Sequence, residues 1–150
     1  MLYKRILLAE DNARDVELTL AALEQSKLAN EVIVVRDGAE ALDYLYGQGK
    51  FAGNGHEFPA VIFLDLKMPK VDGLEVLRKI KTDPVRKTIP VVMLTSSREE
   101  QDLVRSYEFG ANAYVVKPVG FEAFVNAIKQ LGLFWAVVNQ PPSLCVQKPA

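Results

Sequence analysis

Residues 60–73 read Ala60-Val61-Ile62-Phe63-Leu64-Asp65-Leu66-Lys67-Met68-Pro69-Lys70-Val71-Asp72-Gly73. An unbroken apolar run ends on a single aspartate, and a turn rich in proline, lysine and glycine follows. Such a run suits a strand buried on both faces, as in a parallel sheet. Leu74, Leu77 and Ile80 then recur at helical spacing and stop before Pro84. The segment is therefore a strand, an acid at its carboxyl end, a turn and a helix.

The same unit recurs on both sides. Ile6-Leu7-Leu8-Ala9 ends at Glu10-Asp11, Val32-Ile33-Val34-Val35 at Arg36-Asp37-Gly38, Val91-Val92-Met93-Leu94 at Thr95-Ser96, and Ala113-Tyr114-Val115-Val116 at Lys117-Pro118. Helical stripes lie between and after them. Asn12 caps one carrying Val16, Leu20 and Leu23. A second carries Ala39, Leu42, Leu45 and Tyr46. A weaker one after Ser97 carries Leu103, Val104 and Tyr107 and stops at Gly110. The last carries Phe121, Phe124, Val125, Ile128 and Leu131. Alternation of this kind predicts an α/β domain: a parallel sheet, helices on both faces, right-handed crossovers. The compact solution for five such units is a doubly wound, five-stranded, flavodoxin-like sheet in the order 2-1-3-4-5. Periodicity alone does not decide that order.

Residues 47–59 (GQGKFAGNGHEFP) fall outside the pattern and are expected to be a loop, with His56 a solvated loop histidine. Residues 1–138 are expected to form one domain, and residues 139–150, with three prolines, an irregular tail. A chain of 150 residues suits that reading. Its net charge of −1 leaves no broad basic surface, so direct binding to DNA or to anionic lipid is not expected. Cys145 is the only cysteine and cannot form an internal disulfide, which fits a reducing compartment. The apolar stretch near the start is too short for a signal segment or a membrane span. These features together read as a cytoplasmic protein.

In an open α/β sheet, ligands bind beyond the carboxyl ends of the strands near the switch point of strand order. Glu10, Asp11, Asp65, Thr95 and Lys117 all stand at such ends. Two carboxylates about 4 Å apart repel by roughly 4 kcal/mol at an effective dielectric near 20. Either a pKa rises or a cation joins them. Magnesium takes oxygen ligands, often carboxylates together with phosphate. Lys117 and Thr95 point to an anion in the same place, the first by charge and the second by its hydroxyl. Asp65 is left as the nucleophile, since carboxylates form acyl phosphates. Taken singly, Glu10, Asp11 or Thr95 reads as a helix cap and Lys117 as a solvated side chain. Their shared position at one end of the sheet is what points to chemistry.

At these residues the chain resembles the receiver domain of two-component response regulators, over roughly residues 3–135. The matching motifs are Leu8-Ala9-Glu10-Asp11-Asn12, residues 64–73, Met93-Leu94-Thr95-Ser96 and Tyr114-Val115-Val116-Lys117-Pro118. The resemblance implies Asp65 as phosphoacceptor. It implies Mg²⁺ held by Asp11, Glu10, Asp65 and the backbone carbonyl of Lys67. Thr95 and Lys117 would bind the phosphoryl group. Tyr114 would be the aromatic switch that moves inward with Thr95, and the bond before Pro118 would be cis. The donor implied is a phosphohistidine on a sensor histidine kinase. Readout is expected on the face of the fourth helix, fifth strand and fifth helix.

Within that family, the loop 47–59 and the ending Leu133-Phe134-Trp135 with Pro141-Pro142 look like the small regulators that partner bacterial phytochromes. The narrower resemblance implies a homodimer through the readout face and the C-terminal extension, with Phe134 and Trp135 as anchors. Ala136-Val137-Val138-Asn139 replaces the leucine-rich run expected there. Glu10 stands where aspartate is usual, and Lys67 and Ser97 occupy positions that tune dephosphorylation in the family.

Three other readings fit less well. A phosphatase or phosphotransferase acting on small molecules would need a second carboxylate two residues after Asp65, where Lys67 stands. It would also need a cap domain for which the length leaves no room, so turnover of small substrates is not expected. A phosphorylation-independent interaction module would have lost the acids, the threonine or the lysine, all of which are present. A DNA-binding output domain has about fifteen residues after the fifth helix, too few for a helix-turn-helix unit.

Overall fold

The computed structural model describes residues 5–25, 31–53, 58–117 and 121–132. The strands are β1 (Ile6–Ala9), β2 (Val32–Val35), β3 (Val61–Leu64), β4 (Val91–Thr95) and β5 (Ala113–Val116). The helices are α1 (Ala13–Gln25), α2 (Gly38–Tyr46), α3 (Gly73–Lys81), α4 (Glu100–Glu108) and α5 (Phe121–Gly132). All strand pairs are parallel, and the order is β2-β1-β3-β4-β5, as expected.

The unbroken apolar runs follow from this layering. Side chains alternate across a strand, so a strand covered on both faces must be apolar at every position. Leu7, Ala9, Ile62, Leu64, Val91 and Met93 enter one core, with Ala41, Leu45, Val76, Leu77 and Ile80 from α2 and α3. Ile6, Leu8, Val61, Phe63, Val92 and Leu94 enter the other, with Val16, Ala22 and Leu23 of α1 and Val125 of α5. β1, β3 and β4 are buried throughout, whereas the edge strand β5 is only half-buried.

Three local expectations need correction. The buried face of α2 is Gly38, Ala41, Tyr44 and Leu45, so Ala39 and Leu42 lie at its margin. The segment expected as a plain loop carries a single 3-10 turn, Gly49–Phe51. Phe51 holds that turn by packing edge-on against Tyr44 at 5.0 Å between centroids. Finally, the weak stripe on α4 faces solvent: Leu103, Val104 and Tyr107 are all exposed. The one buried residue of α4 is Ser106, and its hydroxyl meets no partner among the described residues. α4 thus buries one residue where α1, α2 and α3 each bury four, and elements so lightly held open at low cost. His56, Pro118, Phe134, Trp135, Cys145 and the boundary expected at residue 138 lie outside the described residues.

The turn after β3 approaches α3 closely. The Gly73 N–H donates to the Leu66 carbonyl at 2.7 Å, and a Cβ at Gly73 would stand 2.0 Å from the Asp65 carbonyl oxygen. Overpacking of this kind typically costs about 1–3 kcal/mol. Gly73→Ala is expected to lower stability by at least that amount, read as a fall in the urea midpoint at unchanged slope.

Candidate functional site

Strand register brings the site together. Ala9 pairs with Leu64, so the residues that follow, Glu10 and Asp65, stand side by side, and the Asp65 N–H donates to the Ala9 carbonyl at 3.0 Å. Thr95 pairs with Val116, and the Lys117 N–H donates to the Thr95 carbonyl at 2.7 Å. A cleft of about 680 Å³ opens over these ends, lined by Glu10, Asp11, Asp15, Asp65, Lys67, Thr95, Ser97 and Lys117 among others. Among the described residues, every site residue read from the sequence lines it except Tyr114.

Glu10, Asp65, Thr95 and Lys117 are buried, whereas Asp11 is exposed. The Lys117 ammonium lies 2.5 Å from Glu10 Oε1, 2.7 Å from Asp15 Oδ2 and 4.0 Å from Asp65 Oδ2. Its third N–H is therefore not hydrogen-bonded to Asp65, although the charges attract. Burial pulls the Lys117 pKa down, but the hydrogen bonds to Asp15 and Glu10 more than offset this and the ammonium is favoured. Burial raises Glu10 to about 7, helped by the Asp65 charge and opposed by Lys117. Burial raises Asp65 as well, again against the pull of Lys117.

Carboxylate oxygens of Glu10, Asp11 and Asp65 all lie within 4.8 Å of one another. An all-oxygen, like-charged and largely buried set of this kind fits a hard divalent cation. Lys67 lines the same cleft on the turn after β3, with its side chain exposed. Lys70, on the same turn, has a left-handed backbone (φ 71°) and reaches within 3.5 Å of Asp37, the residue that caps α2.

A relay of hydrogen bonds leads away from the cleft. The Ser97 N–H donates to Thr95 Oγ1 at 3.2 Å, and the Tyr114 hydroxyl donates to the Ser97 carbonyl at 3.1 Å. The Ser97 hydroxyl donates to Asp102 on α4 at 2.6 Å. Thr95, Tyr114 and the start of α4 thus share one residue, Ser97, which sequence reasoning placed near the site without this role.

Sequence reasoning missed Asp15. Asn12 caps α1, accepting from the Asp15 N–H at 3.0 Å. That makes Asp15 the third residue of the helix, where an acid usually turns back to the cap. Its spacing looks like ordinary capping, and only the fold shows that its carboxylate goes to Lys117.

The chain matches the model of the response regulator receiver domain over residues 6–129. It is 39% identical to response regulator Rcp1 of Synechocystis sp. (strain ATCC 27184 / PCC 6803 / Kazusa) over 132 residues, 88% of each protein. The Mn²⁺-bound structure of Rcp1 superposes with a TM-score of 0.83, over 93% of this chain and 99% of that one. The phosphorylated cyanobacterial phytochrome response regulator RcpA is 41% identical, with a TM-score of 0.84 and the same two coverages. The bacteriophytochrome response regulator RtBRR is 65% identical, with a TM-score of 0.78 over 95% of this chain and 85% of that one. No helix among the described residues is long and apolar enough to cross a membrane.

Glu10 has its pKa raised in the folded state, from 4.5 to about 7. Between those values the folded protein binds more protons than the unfolded chain, so stability falls as pH rises. Ion-free protein is expected to lose up to about 3 kcal/mol across that window. In Glu10→Gln much of that slope should vanish. Urea midpoints in chelator between pH 4.5 and 7 measure both; a wild-type midpoint that climbs with pH would contradict a Glu10 carboxyl whose burial outweighs its pairing with Lys117.

Proposed function

The chain belongs to the response regulator receiver family and is homologous to the regulators of phytochrome signalling, and on that premise we propose that Asp65 accepts a phosphoryl group and so sets a conformational switch. The observation that carries this reading is the meeting, at one end of the sheet, of three carboxylates with oxygens within 4.8 Å and one buried ammonium 4.0 Å from Asp65.

The roles follow from position. Asp65 supplies a carboxylate oxygen that attacks phosphorus. The phosphorus–nitrogen bond of a phosphohistidine on the donor breaks, and the departing imidazole takes a proton. Ionised Asp65 is required, and the attraction of Lys117 favours that form against burial. The product is an acyl phosphate, whose hydrolysis returns Asp65 and inorganic phosphate. The Lys117 ammonium and the Thr95 hydroxyl bind the phosphoryl oxygens, pairing charge that water would otherwise solvate. Glu10, Asp11, Asp65 and the Lys67 carbonyl would hold Mg²⁺. When bound, that ion neutralises charge on the transferring group and on the carboxylates.

Switching runs through Ser97. A Thr95 hydroxyl drawn to the phosphoryl group leaves the Ser97 N–H, and the Ser97 carbonyl is what holds Tyr114. Tyr114 then moves inward, and the face of α4, β5 and α5 changes shape. A full reversal of such an equilibrium takes about 5 kcal/mol, within reach of a few charge-assisted hydrogen bonds. Support for that face comes from the exposure of Leu103, Val104 and Tyr107.

The partner is a sensor histidine kinase in the cytoplasm, a bacterial phytochrome by likeness to RtBRR and RcpA. The same face and the C-terminal extension, including Phe134 and Trp135, form a homodimer that carries the output. The protein assists its own phosphorylation and dephosphorylation but turns over no small-molecule substrate beyond its phosphodonors.

Incubation with acetyl phosphate and Mg²⁺ is expected to add one phosphoryl group by intact mass. The addition should be absent without Mg²⁺ and absent in Asp65→Asn. A sizing column run on the same samples reports whether phosphorylation changes assembly. A folded, Mg²⁺-binding protein that takes up nothing would instead be an interaction module that kept the site without its chemistry.

A further inference from the structure

The chemistry above uses Glu10, Asp11, Asp65, Thr95 and Lys117 and leaves Asp15 without a part. Yet Asp15 makes one of the two close contacts to the buried ammonium. As the third residue of α1, its carboxylate would ordinarily accept from the backbone N–H of the cap, Asn12. Here Glu10 Oε2 accepts from that N–H instead, at 3.2 Å. Asp15 is thereby released to reach Lys117 at 2.7 Å, across the gap between α1 and the end of β5. Two of the three ammonium protons go to Glu10 and Asp15, while Asp65 at 4.0 Å is beyond hydrogen-bond reach. The cation is held on the α1 side of the cleft, off the acceptor.

We propose that Asp15 is a positioning residue that sets the resting place of Lys117 and opposes its move onto the phosphoryl group, so trimming how strongly the phosphorylated form is favoured. The inference rests on the phosphoacceptor reading given above. A phosphoryl dianion on Asp65 and the Asp15 carboxylate compete for the same ammonium, and gaining the first means loosening the second. The contact is releasable because Asp15 does not depend on it. Its side chain is 29% exposed, and it sits in the first turn of a helix, where the backbone dipole favours negative charge. Lys117, at 2% side-chain exposure, has no such alternative and must follow whichever anion attracts it more.

Asp15→Asn keeps the size and an accepting oxygen but removes the charge. Asp15→Ala removes both, and Asp15→Glu keeps the charge. Beryllofluoride at saturating Mg²⁺ serves as a stable stand-in for the phosphoryl group, followed by fluorine NMR. The half-saturating concentration is expected to fall about three- to ten-fold in Asp15→Asn and to move the same way in Asp15→Ala, while Asp15→Glu stays within about twofold of wild type. A purely structural role would not tighten binding, and would not be rescued by glutamate. Unchanged or weaker binding by either folded neutral variant overturns the inference. A wild-type protein that takes up no beryllofluoride sinks the phosphoacceptor reading itself, and this inference with it.

Discussion

The ammonium of Lys117 is the pivot of this structure. Taking a charge out of water costs several kcal/mol, and that cost is recovered only with good geometry and further hydrogen bonds. Glu10 and Asp15 supply both, from the end of β1 and the start of α1. One cation nevertheless faces Glu10, Asp15 and Asp65, with Asp11 at the mouth of the same cleft. Burial drives Glu10 and Asp65 toward protonation, helped by the charge of Asp65 on Glu10 and of Asp11 on Asp65. The excess of negative charge on the acids explains the fit to a divalent cation. A site balanced by its own residues would have little affinity for one.

Few and specific contacts join the cleft to the surface. Thr95 is clamped in β4, buried at the carboxyl end of a central strand, so only its hydroxyl is free to change partner. Ser97 lies at the junction: its N–H meets Thr95, its carbonyl meets Tyr114, and its side chain meets Asp102. Little holds α4 to the core, one buried serine against four buried residues on α3. The contrast between a rigid sheet and a loosely seated helix is what a two-state response requires, since packed cores resist gradual deformation.

Local sequence determined much of this. The unbroken apolar runs specified strands covered on both faces, because alternation across a strand leaves no solvent side. Acid, hydroxyl and ammonium residues directly after those runs had to lie at one end of the sheet, which marked Glu10, Asp11, Asp65, Thr95 and Lys117 together. The cap at Asn12 and the stop at Gly110 were local enough to be read in place.

Tertiary structure decided what depends on contacts distant in sequence. Whether an apolar stripe faces core or solvent is set by what packs on it, and on α4 almost nothing does. The turn Gly49–Phe51 forms because Phe51 finds Tyr44, a packing partner that glycine-rich composition does not announce. Asp15 reads as an ordinary helix-start acid until register brings Lys117 beside it, 102 residues away along the chain. The types of group at the site were therefore written in the sequence, whereas their partners were chosen in three dimensions. Residue type governs what chemistry a side chain can offer, and only the folded backbone sets which charges share a dielectric.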